Sequence, residues 1–241
     1  ILLFGEVHGT TEIPAAISQI LSYVVAQGHA VCLGLELWEP PEQCGLLSNY
    51  VCSAGTAADR QALFQLPHWE IQDGRQSQAY FAMIEHARVL RQGGARLEAF
   101  GFDAVVNDYR GSTLQSRAMA YNVLAKIAAL PKETVFILMA GNGHCCTESC
   151  GGREPMGFPI KCQHPTMKAF NVRCAPGSQW WGIAPEGPYG EMTAGPHAWS
   201  GDGARHPDPF IDTSKAAQTP GFDGLLDMGV LTASFPEVTP P

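Results

Sequence analysis

Apolar and polar positions follow regular periods along the first forty residues of the chain. An apolar run predicts a buried β-strand over 1–6, and a second run over 30–35, ended by Glu36, predicts another. Between them, apolar residues at helical spacing predict an amphipathic helix that begins at Thr10 or Thr11 and ends at Gly28. Its inward stripe is Ile13, Ile17, Ile20, Leu21 and Val24. This strand–helix–strand unit predicts parallel pairing through a right-handed crossover.

The sequence pattern after the second strand predicts consecutive helices and then further strands. Its three predicted helices cover 42–52, 57–65 and 76–91. A third strand over 96–102 leads into Asp103, and a fourth over 134–140 leads into Gly141. The helix between these strands, over 112–130, is predicted to bury Leu114, Ala118, Tyr121, Leu124 and Ala128. The order predicts an α/β fold: a mostly parallel, doubly wound sheet with a helical excursion between strands 2 and 3.

The last quarter of the chain has a different texture. Half of the 18 prolines lie between Pro185 and the end, which predicts a loop-rich stretch over about 185–222. A strand is expected over 180–183, and a late strand within 223–234 is expected to return to the sheet. We expect residues 1–241 to form a single domain.

Charge and motif content exclude several function classes. The net charge is −8 and no Lys/Arg-rich stretch is present, which argues against a nucleic-acid partner. No apolar run approaches the length of a membrane span. The sequence contains no P-loop, no dinucleotide fingerprint and no CxxCH haem-attachment motif.

The chain has eight cysteines, and three interpretations of them are open. Disulfides would indicate an exported protein, with Cys44 and Cys52 closing one loop and the group over 145–174 stapling another. Free thiols would fit a cytosolic protein. A structural zinc site could use His144-Cys145-Cys146 with Cys150, although no paired CxxC spacing is present. We favour export, to the periplasm or the outer membrane, with a signal or lipid anchor upstream of residue 1.

Acids and histidines follow four of the predicted strands. Glu6 and His8 follow the first, Glu36 the second, Asp103 the third and His144 the fourth. Ligands of open parallel sheets lie beyond the carboxyl ends of the strands, so we expect a site there. Its chemistry is water activation, by one of two routes.

The first route holds Zn²⁺, Mn²⁺ or Co²⁺ on imidazole and carboxylate. In the second, His8 is the general base, oriented by Glu6 or Glu36, and His144 polarises the substrate oxygen. Asp103 either orients His8 or caps a turn. Gly141 and Gly143 either admit a ligand to the backbone or form a tight turn.

Four motifs resemble one superfamily when taken in order. They are Gly5-Glu6-Val7-His8-Gly9, Leu35-Glu36-Leu37-Trp38, Gly141-Asn142-Gly143-His144 and Met156-Gly157-Phe158-Pro159. This superfamily joins the ChaN-like haem-uptake lipoproteins, the TIKI/TraB-type proteins and the erythromycin esterases, and the ChaN-like branch is the most similar. The resemblance extends from Ile1 to about Ser234.

The resemblance implies a parallel α/β fold with a single pocket. Glu6, His8, Glu36 and His144 match its polar positions and would be catalytic residues or metal ligands. We also expect Asp103, Arg117 and Asn142 to bind substrate. The resemblance implies that Arg117 holds an anionic group of the substrate, and the alternative is a surface arginine near the start of a helix.

Each branch implies a different activity. The esterase branch implies a histidine base, the TIKI branch metal-dependent peptide cleavage, and the ChaN branch haem binding through a tyrosine. Tyr50, Tyr109 and Tyr189 are the candidates for that tyrosine, because we expect them to be exposed.

The chain also departs from the superfamily pattern. In the esterases, the glutamate and histidine that match Glu6 and His8 are separated by one more residue. The Cys145-Cys146 pair after His144 is not expected in the superfamily. His197 and His206 in the tail are possible extra ligands. We expect an exported metal-dependent hydrolase of ester or amide bonds, acting on a small molecule or a peptide. The alternative is a haem- or metal-binding uptake lipoprotein without catalytic activity.

Overall fold

The computed structural model describes residues 1–70, 73–104, 113–149, 152–181, 195–199, 201, 203 and 208–237. The strands are β1 (Leu2–Glu6), β2 (Val31–Trp38), β3 (Leu97–Asp103), β4 (Val135–Gly141), β5 (Lys168–Ala175), β6 (Gly177–Trp181), β7 (Gly195–Trp199), β8 (Phe210–Asp212) and β9 (Gly224–Val230). The α-helices are α1 (Glu12–Ala26), α2 (Leu46–Cys52), α3 (Ala57–Leu63), α4 (Gln78–Gln92), α5 (Thr113–Ala129), α6 (Asn142–Cys145) and α7 (Gly157–Gln163). Short 3₁₀ helices cover Pro41–Gln43, Pro67–Glu70 and Thr213–Gln218.

The main sheet has seven strands in the order β3-β2-β4-β1-β5-β9-β8. Every neighbouring pair is parallel except β8–β9. The α/β fold and the helical excursion between the second and third strands are therefore confirmed. The chain leaves β1 for β2 on one side of the sheet and leaves β4 for β5 on the other side, which puts a topological switch point at the carboxyl ends of the neighbouring strands β1 and β4.

Two apolar cores cover the two faces of the sheet. Leu3 belongs to the core that contains Met119 of α5 and Ile160 of α7, whereas Phe4 belongs to the core that contains Ile17 of α1. Successive residues of β1 thus point to opposite faces, as the period of a strand requires. Burial on both faces explains why β1 is apolar throughout its first residues.

The inward face predicted for α5 is confirmed at Leu124, which packs against the core, and is wrong at Leu114 and Tyr121. Leu114 is 50% exposed and Tyr121 is 73% exposed. The buried residues of α5 are Gln115, Ser116, Met119, Ala120 and Val123. Two polar residues lie inward because each bonds to a group at the sheet edge, and those bonds outweigh the apolar periodicity.

Several boundaries and elements also differ from expectation. β2 continues past Glu36 to Trp38, with a register shift after Leu35. The sequence pattern missed β5 and α7. The strand expected over 180–183 overlaps the end of β6, whose described residues pair with β7 in a separate antiparallel ribbon, and residues 182–183 lie outside the described residues. The stretch over 185–222 contains β7, β8 and the Thr213–Gln218 turn, and the late strand is β9.

The disulfide expectation is not met by the described cysteines. Cys44 and Cys52 are both thiols, and no disulfide joins any described cysteine to another. Cys150 lies outside the described residues. No helix in the described part of the chain has the length and apolar content of a membrane span.

Candidate functional site

Glu6 and His8 form the first part of a polar cluster at the carboxyl edge of the sheet. Glu6 is the last residue of β1 and is 5% exposed. His8 follows in the turn that Gly9 closes with a positive φ of 72°, so its ring folds back over the strand end. His8 Nδ1 lies 2.9 Å from Glu6 Oε1. The two atoms are not aligned as a hydrogen bond, and both are buried without such a partner.

Glu36 brings the second strand into the cluster. Its carboxylate is buried, and Oε2 accepts a hydrogen bond of 2.7 Å from the backbone N–H of Gly141 at the end of β4. Because β2 and β4 are parallel neighbours, their carboxyl ends lie at the same edge. The Glu36 side chain therefore ties two strand ends together beside His8.

Arg75 contacts three carboxylates of the cluster, and the sequence analysis did not identify this arginine as a site residue. Its Nη1 lies 2.9 Å from Glu36 Oε1 and 3.0 Å from Asp103 Oδ2, while Nη2 lies 2.5 Å from Asp73 Oδ2. Arg75 lies in the turn before α4, and this turn has no hydrophobic periodicity from which its position could be predicted. The only local signal is the Asp73-Gly74-Arg75 run, two opposite charges around a glycine.

His144 approaches the same carboxylate from α6. Its Nε2 lies 3.9 Å from Glu36 Oε1, and its Nδ1 lies 3.0 Å from the hydroxyl of Ser116 in α5. The structure therefore brings Glu6, His8 and His144 together around Glu36. It places the imidazoles of positions 8 and 144 at one edge of the sheet.

The lack of a side chain at Gly141 makes room for the polar cluster. A Cβ built at Gly141 would lie 3.3 Å from His8 Nε2 and 3.6 Å from Glu36 Oε2. A side chain at this position would thus crowd His8 and would contact Glu36 at an ordinary van der Waals distance. A Cβ built at Gly143 would have no atom within 4 Å. Of these two glycines, therefore, only Gly141 lies against the polar cluster.

The three residues predicted to bind substrate have other partners. Asp103 accepts hydrogen bonds from Arg75 and from Gln115 Nε2, at 3.0 and 2.9 Å, and not from His8. Asn142 bonds the backbone of Val172 on β5 through both its amide oxygen and its amide nitrogen. Arg117 is 57% exposed and pairs with Glu154. The first two brace the strand ends.

The electrostatics of the cluster favour cations. Burial lowers the pKa of His8, but the charges of Glu6 and Glu36 outweigh it and raise that pKa to about 9. Burial acts to raise the pKa of Asp103, and the Arg75 guanidinium holds it below its usual range. Three carboxylates, of Glu36, Asp73 and Asp103, thus contact the single permanent cation Arg75, and a fourth, of Glu6, contacts His8. They retain a proton on His8, and they attract a metal ion for the same reason.

Glu6, His8 and Glu36 have the donor set for a divalent metal. One ligand atom from each lies within 4.8 Å of the others, and no other such group exists among the described residues. Glu6 Oε1 and His8 Nδ1 form an ion pair at 2.9 Å and have no aligned hydrogen bond. A divalent cation would displace the proton of His8 and take both atoms as ligands. Imidazole and carboxylate together suit Zn²⁺, Mn²⁺ and Co²⁺.

Among the alternative ligands from the sequence analysis, the described residues Tyr50 and Cys145 have other partners. Tyr50 is buried and bonds Glu85 at 2.6 Å, so its expected exposure is wrong. Tyr109, Tyr189 and His206 lie outside the described residues, and the side chain of His197 is not described. Cys145, from the proposed zinc set, is buried and donates to the backbone oxygens of β1 and β4.

No protein-family model and no curated protein matches this sequence. A crystal structure from Bacillus cereus is 12% identical, has a TM-score of 0.59, and covers 98% of this chain and 90% of its own. A protein described as a succinoglycan biosynthesis protein is 12% identical, with a TM-score of 0.62 and coverage of 98% and 89%. These two share the fold. A structure of ChaN of Campylobacter jejuni with cofacial heme is 11% identical over 72% of this chain and 80% of its own, with a TM-score of 0.37.

Proposed function

We propose that the chain is a metal-dependent hydrolase of ester or amide bonds. One observation carries the proposal: Glu6, His8 and Glu36 present ligand atoms within 4.8 Å of one another at the topological switch point. A divalent ion held there supplies a bound water of lowered pKa, the nucleophile that hydrolysis requires.

The chain's own residues divide the remaining tasks. Glu6 Oε1 and His8 Nδ1 have no aligned hydrogen bond beside their ion pair with each other, whereas Glu36 is held by the Gly141 N–H and by Arg75. This support fixes the carboxylate orientation, which outer partners of metal ligands commonly do. His144 faces the cluster from the opposite side and supplies an N–H group for the substrate oxygen.

A chelation assay tests this function. The purified chain is stripped with a chelator and given chromogenic ester and peptide-amide substrates, with Zn²⁺, Mn²⁺ or Co²⁺ restored singly. We expect hydrolysis to stop on stripping and to return with one of these ions. The Glu36→Gln variant should lose at least about tenfold in metal affinity, whereas Glu42→Gln, at an exposed position, should behave as wild type.

Two results would contradict the proposal. One is hydrolysis that persists through stripping and in Glu36→Gln. The other is a protein that binds hemin with a saturable Soret band and hydrolyses none of the substrates, which would favour the haem-uptake alternative.

A further inference from the structure

Ser116 lies directly against the imidazole of His144. It is on the inward face of α5 and is 5% exposed, and its hydroxyl oxygen lies 3.0 Å from His144 Nδ1. The ring itself is mostly buried, with 16% of its side chain exposed. The hydroxyl therefore contacts one ring nitrogen in a place with little competing water.

The other ring nitrogen determines which way this hydrogen bond runs. A neutral imidazole carries one proton, on either Nδ1 or Nε2. His144 Nε2 lies 3.9 Å from Glu36 Oε1, and a negative oxygen at that distance favours a proton on the nearer nitrogen. Nδ1 then has a free lone pair, and the rotatable hydroxyl of Ser116 donates to it.

The Nε2 proton is left available for a substrate. At 3.9 Å the Glu36 oxygen is beyond hydrogen-bond distance. The metal-capable group among the described residues also omits His144. None of the described residues accepts a hydrogen bond from His144 Nε2, so an N–H group there is available to a substrate oxygen.

We propose that Ser116 is a positioning residue, which holds His144 as the Nε2–H tautomer so that the ring donates a hydrogen bond to the substrate's acyl oxygen. This inference rests on the proposed function and adds to it the residue that orients the His144 N–H group. His144 is then a hydrogen-bond donor and not one of the metal ligands. The substrates are then carbonyl compounds whose oxygen gains negative charge when water attacks, and the hydrogen bond strengthens as that charge develops.

The tautomer can be measured without any activity. We would record the ¹⁵N resonances of histidine-labelled, metal-free protein at about pH 8, above the ordinary histidine pKa, and assign His144 with His144→Gln. Wild type should show a protonated Nε2 and an unprotonated Nδ1. In Ser116→Ala the same ring should show a mixture of tautomers, and Ser116→Thr, which keeps a hydroxyl, should restore the wild-type pattern.

Ser22 offers a matched control. Its hydroxyl lies 2.6 Å from His86 Nε2, between α1 and α4, so Ser22→Ala removes an equivalent bond and should leave His144 unchanged. The inference is overturned if wild-type His144 carries its proton on Nδ1, or if Ser116→Ala leaves its resonances unmoved. Loss of the proposed function would appear separately, as absence of metal-restored hydrolysis with the tautomer intact.

Kinetics supply the second readout in the metal-loaded chain. Ser116→Ala should lower kcat by about tenfold, because the donated hydrogen bond is weakened mainly in the transition state. KM and the bound metal should stay at their wild-type values. A rise in KM alone with unchanged kcat would contradict the assignment.

Discussion

Arg75 holds Glu36 by two routes at once. Its Nη1 lies 2.9 Å from Glu36 Oε1, and the same nitrogen donates to the backbone oxygen of Glu36 at 2.7 Å. The guanidinium is buried, with 7% of its side chain exposed. One cation thus fixes both the strand end and the carboxylate that projects from it.

Replacing Arg75 tests how much of the fold depends on this contact. Arg75→Met leaves the buried carboxylates of Glu36 and Asp103 without their cation, which typically costs about 3–5 kcal/mol of unfolding free energy. Urea denaturation measures the change. Arg117→Gln removes an exposed ion pair and should cost far less. Equal losses in the two variants would contradict the role we assign to Arg75.

Gly141 provides a test that changes the site with little change to the fold. Its φ of −51° and ψ of 139° are allowed for alanine. In Gly141→Ala the new Cβ would lie 3.3 Å from His8 Nε2, displacing the ring. We expect metal affinity, measured by calorimetric titration, to fall by at least about tenfold.

Gly143→Ala is the matched control for that experiment. Its Cβ would meet no atom within 4 Å, so both metal affinity and the unfolding midpoint should remain at wild-type values. If Gly141→Ala binds metal as tightly as Gly143→Ala, His8 is not the ligand that the geometry indicates.

The burial of His68 makes the free energy of unfolding depend on pH. It is fully buried beside Tyr80, with ring centroids 5.9 Å apart. Burial, with the Arg75 charge, lowers the pKa of His68 to about 4 from an ordinary value of 6.5. Between those two values the unfolded chain binds the extra proton, so the stability from neutral His68 is complete above pH 6.5 and is lost as the pH falls toward 4.

The size of that loss is about 3 kcal/mol at most. Urea denaturation across the same pH window should therefore give a shallower decline for His68→Leu than for wild type. His29→Gln, at an exposed position, should follow the wild-type curve. A decline of identical slope in His68→Leu would show that this histidine titrates normally.

Local pattern predicted the frame of the fold. The apolar run of β1 and the stripe of α1 specified their elements, and Glu6, Glu36 and His144 were placed near one another because parallel strands end at one edge. Such strand-end arguments use only chain order and periodicity. They predict which residues share an edge of the sheet, but they do not predict the distances between the side chains there.

The parts that pattern missed depend on specific polar contacts. Arg75 lies in an aperiodic turn, so its place beneath Glu36 follows from the folded loop alone. On α5, Ser116 is buried because it bonds His144, whereas Leu114 is left in solvent. A hydrophobic stripe cannot reveal a helix face that is buried for its hydrogen bonds.

Metal stoichiometry tests the central claim most directly. Wild type, Glu6→Gln, His144→Ala and the exposed control Glu42→Gln would each be loaded with Zn²⁺, Mn²⁺ or Co²⁺, dialysed and measured by elemental analysis. We predict stoichiometric metal in wild type, in Glu42→Gln and in His144→Ala, and its loss in Glu6→Gln. A wild-type chain that retains none of the three ions, or a Glu6→Gln variant that retains as much as wild type, would contradict the account.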